Sequence, residues 1–273
     1  MTSQSRPPSF SNTVAGQITQ ILGAAPGPGQ LTQALRHLAK WRAQVLADTL
    51  VARSGDKVLS GPFAGMSYGI RAAEGSRTAR LIGCYEASLA PVIETIIDRA
   101  YPLVIDVGSA EGYYAVGLAR RMPFARVLAR DSILPAQTLC RALAEVNDVG
   151  ERVSVGGLFT HADLDICQQQ DTVIICDIEG AEAEFLDPEA APGLLAADIL
   201  VEVHEGMRPG LLAVLERRFT TTHTVTRLDR RLDDTGLPDW AETLSDLDRL
   251  LLMWEWRASP TPWLWMQRRT LEA

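Results

Sequence analysis

Between residues 100 and 205, short runs of Val, Ile and Leu alternate with helical segments, and that alternation leaves few folds open. "PLVIDVG" reads as a strand, and "GYYAVGLARRM" as a helix stopped by Pro123. "ARVLARD" is a second strand, and "PAQTLCRALAEVN" a second helix with Leu139, Leu143 and Val146 on one face. "RVSVGG", "DTVIICD" and "ADILVEVH" supply three more strands. Nearly continuous apolar strands are those covered on both faces, and helices between them imply parallel pairing through right-handed crossovers. "THTVTRLDR" and "LLLMWEWR" then alternate as strands with one polar face, which fits an antiparallel last strand pair. The expected architecture is α/β: a doubly wound, mostly parallel sheet preceded by an N-terminal helical and β accessory region.

Three segments are expected. Residues 1–30 are rich in Ser, Pro, Gly and Gln and read as a flexible tail without a secretory signal pattern. Residues 31–85 read as an accessory helix and a small β segment. Leu31, Leu35, Leu38, Val45 and Leu46 mark the helix, which packs on the main domain or, alternatively, pairs two copies as a homodimer. Residues 86–273 hold the main domain. A net charge of −8 argues against a general nucleic-acid binder, although uneven charge leaves a local basic patch open. No run is long enough to span a bilayer. Cys84, Cys140, Cys167 and Cys176 show no CxxC pairing and read as reduced thiols of a cytoplasmic protein.

The first chemical signature is "VIDVGSAEGYYAVG", where a strand ending at Asp106 passes through Gly108 and Gly112 into a helix. Ligands of doubly wound sheets bind over such a loop, at the carboxyl ends of the strands. A dinucleotide site would want Gly-x-Gly-x-x-Gly, and Ala110 stands at its middle glycine. Asp106 would repel a pyrophosphate but suits a sulfonium and an amino-acid head group. The pattern therefore prefers S-adenosylmethionine (SAM) to NAD. Asp131, ending the second strand, can accept both ribose hydroxyls or else cap the next helix. Asp163 is a candidate for the adenine amino group. The expected cofactor contacts are Asp106, Gly108, Ser109, Ala110, Glu111, Gly112, Tyr113, Asp131, Ser132, Asp163 and Asp177.

The second signature is "CDIEGAEAEF". Asp177 and Glu179 close a buried strand, so their carboxylates should sit at the same rim as the methyl donor. Glu182 falls in the first turn of the next helix, where the helix dipole favours an acid. The fifth strand ends "VEVHE", bringing Glu202, His204 and Glu205 alongside. Taken in order, "VIDVGSAEGYYAVG", "CDIEGAEAEFLD" and "ILVEVHE" resemble the FkbM-type branch of class I SAM-dependent methyltransferases across roughly residues 100–210. The resemblance implies a Rossmann-like sheet and methyl transfer, typically to a hydroxyl of a sugar or natural product. This chain has Ala110 where members carry Asn, and Arg130, Asp131 and Ser132 where they carry an apolar-Glu-Pro run.

Methyl transfer from a sulfonium is an in-line displacement served mainly by positioning and, for a hydroxyl acceptor, by a base. The expected catalytic residues are His204, first choice for the base, Asp177 and Glu179. The same three could hold a divalent cation, but carboxylates alone discriminate poorly and no metal is assigned. Trp254, Trp256, Trp263 and Trp265 read as core or lid packing, or as a surface on which an acceptor stacks. The expected partner is a small-molecule acceptor, with neither nucleic acid nor membrane. A nucleic-acid methyltransferase, a SAM-binding module without turnover and a nicotinamide oxidoreductase are the alternatives.

Overall fold

The computed structural model describes residues 10–23, 25–70, 72, 75, 77–257, 259 and 261–269. The described residues begin with a helical hairpin, α1 (Phe10–Leu22) and α2 (Pro28–Ser54), followed by the short α3 (Arg77–Ile82) and by α4 (Ala90–Arg99). Strands and helices then alternate through β1 (Leu103–Val107), α5 (Tyr113–Arg121), β2 (Arg126–Arg130), α6 (Leu134–Val146), β3 (Val153–Gly156) and β4 (Thr172–Cys176). After them come α7 (Glu182–Phe185), β5 (Ala197–Glu202), α8 (Leu211–Phe219), β6 (His223–Leu228), α9 (Asp246–Leu252) and β7 (Trp263–Arg268).

The seven strands form one sheet in the order β3-β2-β1-β4-β5-β7-β6. The first five pair in parallel, and β7 runs antiparallel between β5 and β6. This is the expected Rossmann-like doubly wound sheet, and its order reverses between β1 and β4, where the ligand crevice of such sheets lies. Val104, Val127, Val173, Ile175 and Leu200 face one core, shared with α4, α5 and α6. Leu103, Ile105, Ile174, Cys176, Ile199 and Val201 face the other, with Leu211, Leu215 and Phe219 of α8. Burial on both faces explains why the strands lack polar alternation. At the amino end of the sheet, buried Asp198 accepts from Tyr101 Oη, from Arg99 Nη1 at 2.7 Å and from the Arg268 amide at 2.7 Å.

Several expectations change. Phe10–Leu22, assigned to a tail, is helical, while residues 1–9 of that tail lie outside the described residues. The segment "LLLMWEWR" is not a strand: α9 fills its start, and Trp256 has φ +66°, outside any strand geometry. The last strand is Trp263–Arg268, so Trp263 and Trp265 are sheet residues in the core. In the accessory region the expected β segment is reduced to one bridge, Lys57 to Ser67. Along α2 the buried residues are Ala34, Ala43, Leu46, Ala47 and Leu50, whereas Leu31, Leu35 and Leu38 are exposed.

Two glycines decide whether the β1 turn can form. Gly108 has φ +81°, and a Cβ there would stand 1.6 Å from the carbonyl oxygen of Asp177. The loops after β1 and β4 are thus in backbone contact, with the Asp177 carbonyl in the space that a side chain at residue 108 would need. Gly112 has φ +91°, and its Cβ would meet Cys140 Sγ at 2.6 Å. Gly210 has a similar φ of +87° with nothing within 4 Å, so it isolates conformational strain from the clash. We expect Gly210→Ala to cost about 1–2 kcal/mol, the ordinary penalty of left-handed backbone. Gly108→Ala should cost clearly more or abolish folding. Urea unfolding midpoints compare the two, and equal losses would contradict the close approach.

Candidate functional site

Parallel pairing in register sets four strand ends in a row. Val107 pairs with Arg130 on one side and Cys176 on the other, and Cys176 pairs with Val201. The residues that follow these ends are Gly108, Asp131, Asp177 and Glu202. Above them opens a cavity of about 1270 Å³, large enough for a nucleoside-sized ligand and a second small molecule. Its floor includes Gly108, Ala110, Asp131 and Ser132 at one end and Asp177, Glu179, Glu202 and His204 at the other. Its walls come from Phe159 after β3, Lys40 of α2, Tyr85, and Trp256 and Arg257 before β7.

At the β2 end, Asp131 Oδ2 accepts the Ala110 amide at 2.9 Å and Oδ1 accepts the Ile133 amide at 2.7 Å. Asp131 therefore holds the glycine loop, leads into α6 and lines the cavity. Ala110 sits in left-handed backbone, φ +45°, a conformation uncommon for residues other than glycine. Of the expected cofactor contacts, Gly108, Ala110, Asp131, Ser132 and Asp177 line the cavity.

The other expected contacts point elsewhere among the described residues. Asp106 is 3% exposed and does not line the cavity; it lies on the α5 side of the sheet, where the Ala115 amide bonds it. Burial pushes its carboxyl up to about 7, against that amide bond and reinforced by Asp131 and Glu111. Glu111 is fully buried, accepting from Tyr68 Oη and pairing with Arg80 Nε at 3.2 Å, so it clamps the accessory region to the glycine loop. Ser109 and Tyr113 are buried, and Tyr113 packs edge-on against Phe63, Tyr68 and Tyr85. Gly112 caps α5. Asp163 accepts from Thr160 through the amide at 2.7 Å and the hydroxyl at 2.6 Å, which lowers its pKa and closes a turn outside the cavity lining.

At the β4–β5 end, the expected catalytic residues come together. His204 is 5% exposed. Its Nε2 lies 3.4 Å from Glu179 Oε2, 3.6 Å from Asp177 Oδ1 and 3.7 Å from Glu202 Oε2. Glu179 has φ +54° and Gly180 +103°, so the loop doubles back and presents Glu179 to the imidazole. A glutamate held in left-handed backbone stores strain of the kind that collects at functional sites. Glu182 falls in the first turn of α7 as expected, but that helix is only four residues long. Glu182 Oε1 meets His204 Nδ1 at 2.7 Å and accepts the Gly180 amide at 3.1 Å. Burial alone would lower the His204 pKa; the Glu182 hydrogen bond and the charges of Glu202 and Glu179 outweigh it and raise it. Asp177 is held well above the carboxylate range by burial, then by the charges of Glu202 and Glu86.

Beneath this cluster lies a network absent from the sequence reading. Arg257 donates to Glu86, Glu202 and Thr261, and its Nε reaches Glu255 Oε2 at 2.9 Å. Glu86 also accepts from Tyr114 Oη, and Arg230 Nε donates to Glu255 Oε2 at 2.8 Å. Burial raises Glu86 to about 7 even though Arg257 pulls it down. Removing a buried counter-ion strands its partners at a typical cost of about 3–5 kcal/mol, so Arg257 braces the cavity wall. The sequence signal was faint: Glu255 stands between Trp254 and Trp256, a charged residue among rings. Trp256 lines the cavity, and Lys40 Nζ lies 4.8 Å from its ring centroid.

No family model matches the chain, and no curated protein matches it. Solved structures of similar shape include the human methyltransferase 10 domain containing protein, at 14% identity over 83% of this chain and 95% of that one, TM-score 0.48. An O-methyltransferase from Bacillus cereus in complex with S-adenosylhomocysteine (SAH) shares 11% identity over 94% of this chain and 97% of its own, TM-score 0.45. An O-methyltransferase of tomaymycin synthesis from Streptomyces achromogenes, solved with SAM, shares 12% over 85% and 89%, TM-score 0.44. These likenesses are distant, so the function has to come from the chain's own residues.

Asp106 supplies a test with a defined sign. A carboxyl raised to about 7 in the folded state holds a proton that the unfolded chain releases. Its stabilising effect is full below the unfolded value of 3.8 and is lost as pH rises through about 7. Asp106→Asn removes that loss. Between about pH 5 and about pH 8, the variant should gain stability relative to the parent, on the order of 1 kcal/mol or more. Melting temperatures at the two pH values measure this, and a constant difference would contradict a buried neutral Asp106.

Proposed function

We propose that the chain is a SAM-dependent methyltransferase acting on a hydroxyl of a small molecule. The observation that carries the reading is one continuous cavity with two chemically distinct ends: Asp131 and the glycine loop at one, and the Asp177–Glu179–His204 cluster at the other. The first end suits an adenosyl ribose, whose two hydroxyls can donate to the open lone pairs of Asp131. The second suits the acceptor. The sulfonium lies between them, over Gly108 and beside Asp177.

The chemistry asks little of the protein beyond alignment. The acceptor oxygen forms a bond to the methyl carbon as the carbon–sulfur bond breaks and leaves a neutral thioether. Holding the two reactants in line is worth up to roughly 7–11 kcal/mol. The hydroxyl proton goes to the acidic cluster, with His204 Nε2 as its first acceptor and Glu182 supporting the imidazolium that forms. Tyr85, Lys40 and Trp256 contribute to the wall of the cavity. All three lie outside residues 100–210, so acceptor choice belongs to the accessory region and the segment before β7. No described helix is long and apolar enough to cross a membrane.

Calorimetric titration of the full chain with SAM should give saturable binding. Asp131→Ala should weaken it about tenfold or more, as loss of hydrogen bonds to both ribose hydroxyls implies. His204→Ala should leave that affinity within about twofold while lowering SAH release on an accepted substrate by about 10²–10⁴. Saturable NAD binding without SAM binding would overturn the reading.

A further inference from the structure

We propose that Asp177, Glu179 and His204 bind a divalent cation that holds the acceptor oxygen at the β4–β5 end of the cavity. One ligand atom from each lies within 4.8 Å of the others, the spacing at which three side chains can share an ion. This inference rests on the methyltransferase reading for its purpose, though not for its geometry.

Proximity of acids would mean little alone; the orientation of His204 is an independent observation. Glu182 is an acceptor at Nδ1, at 2.7 Å, so Nδ1 carries the ring proton. In the neutral imidazole Nε2 is then a bare lone pair, 95% of the side chain is buried, and that lone pair is aimed at carboxylate oxygens. Among the described residues no hydrogen bond forms at Nε2. Toward Glu179 Oε2, at 3.4 Å, acceptor faces acceptor, which is repulsive unless a proton or a cation lies between them. A carboxylate on the far nitrogen is also the usual support of a metal-binding histidine, fixing its tautomer and raising its basicity. Asp177 Oδ1 repeats the signal, being a buried atom without a hydrogen-bond partner at the same point.

Protonating His204 would supply one positive charge, but Glu179 would still share it with Glu182 on the opposite nitrogen. Arg257 does not relieve them, since it is committed to Glu86, Glu202 and Glu255. One imidazole nitrogen and two carboxylate oxygens suit Mg²⁺, Mn²⁺ or another borderline divalent ion, and leave positions open for the acceptor. With the ion bound, His204 is a ligand and no longer the first proton acceptor. The coordinated hydroxyl loses its proton to Glu202, the resulting alkoxide takes the methyl group, and the sulfur leaves as thioether.

Mn²⁺ is the probe, added to EDTA-treated full-length protein and followed by electron paramagnetic resonance, with SAM titrated calorimetrically on the same samples. One saturable Mn²⁺ site per chain is expected. Glu179→Gln, at a half-exposed position, should fold as the parent does by melting temperature yet bind Mn²⁺ about tenfold or more weakly. Glu182→Gln should weaken it by about 10–100-fold through the histidine it orients. SAM affinity should persist in the metal-free protein. Absence of saturable Mn²⁺ binding, or equal binding by parent and Glu179→Gln, overturns the cation. SAM binding without Mn²⁺ binding leaves the methyltransferase reading standing alone, and Mn²⁺ binding without SAM binding does the reverse.

Discussion

Backbone contact between the loops after β1 and β4 is the constraint on which the site depends. The Asp177 carbonyl occupies the space that a side chain at residue 108 would need. That contact joins the two strands at the point where the sheet order reverses, and it brings the glycine loop within reach of the β4 carboxylates. The remaining elements hold this junction. Asp131 ties the loop to β2, Glu111 ties it to Tyr68 and Arg80, and Asp198 fastens the far end of the sheet. A cavity with a ribose-binding end and an acidic end follows from parallel register and from one residue without a Cβ.

Charge explains the next layer. A sheet buried on both faces can place acids only at its edges or its ends, because an unpaired buried carboxylate is costly. Where acids do enter the interior, each has a partner or a shifted protonation equilibrium: Glu86 and Glu255 share Arg257, and Asp106 is pushed up to about 7. The Asp177–Glu179–His204 group follows that pattern only in part, since Asp177 is held well above the carboxylate range and His204 has Glu182, yet Nε2 has no hydrogen bond among the described residues. Its members are crowded, strained at Glu179 and orphaned at Asp177 Oδ1. Such an arrangement is stable at the rim of a cavity when a ligand or ion completes it.

The parallel core was legible because both-face burial writes itself as uninterrupted Val, Ile and Leu. The rim acids after β4 and β5 were legible for the same reason, since each interrupts an apolar run at its end. Asp106 was misleading. Strand residues alternate between faces, so Asp106 shares the side of Val104 and points into the α5 layer instead of over the rim. The final strand was misplaced because "LLLMWEWR" alternates over too few residues to separate a strand from the end of a helix, whereas "WLWMQR" follows a proline pair. Partners such as Tyr68 with Glu111, or Arg257 with Glu86, join residues 43 and 171 apart. No local periodicity records contacts of that kind.

The most direct test is a crystal structure of the chain with SAH. The account predicts the ribose hydroxyls on Asp131, the sulfur above Gly108, and open space from the sulfur toward His204 and Glu179. An adenosyl group bound outside this cavity, or a sulfur directed toward Phe159 and away from the β4–β5 carboxylates, would contradict it.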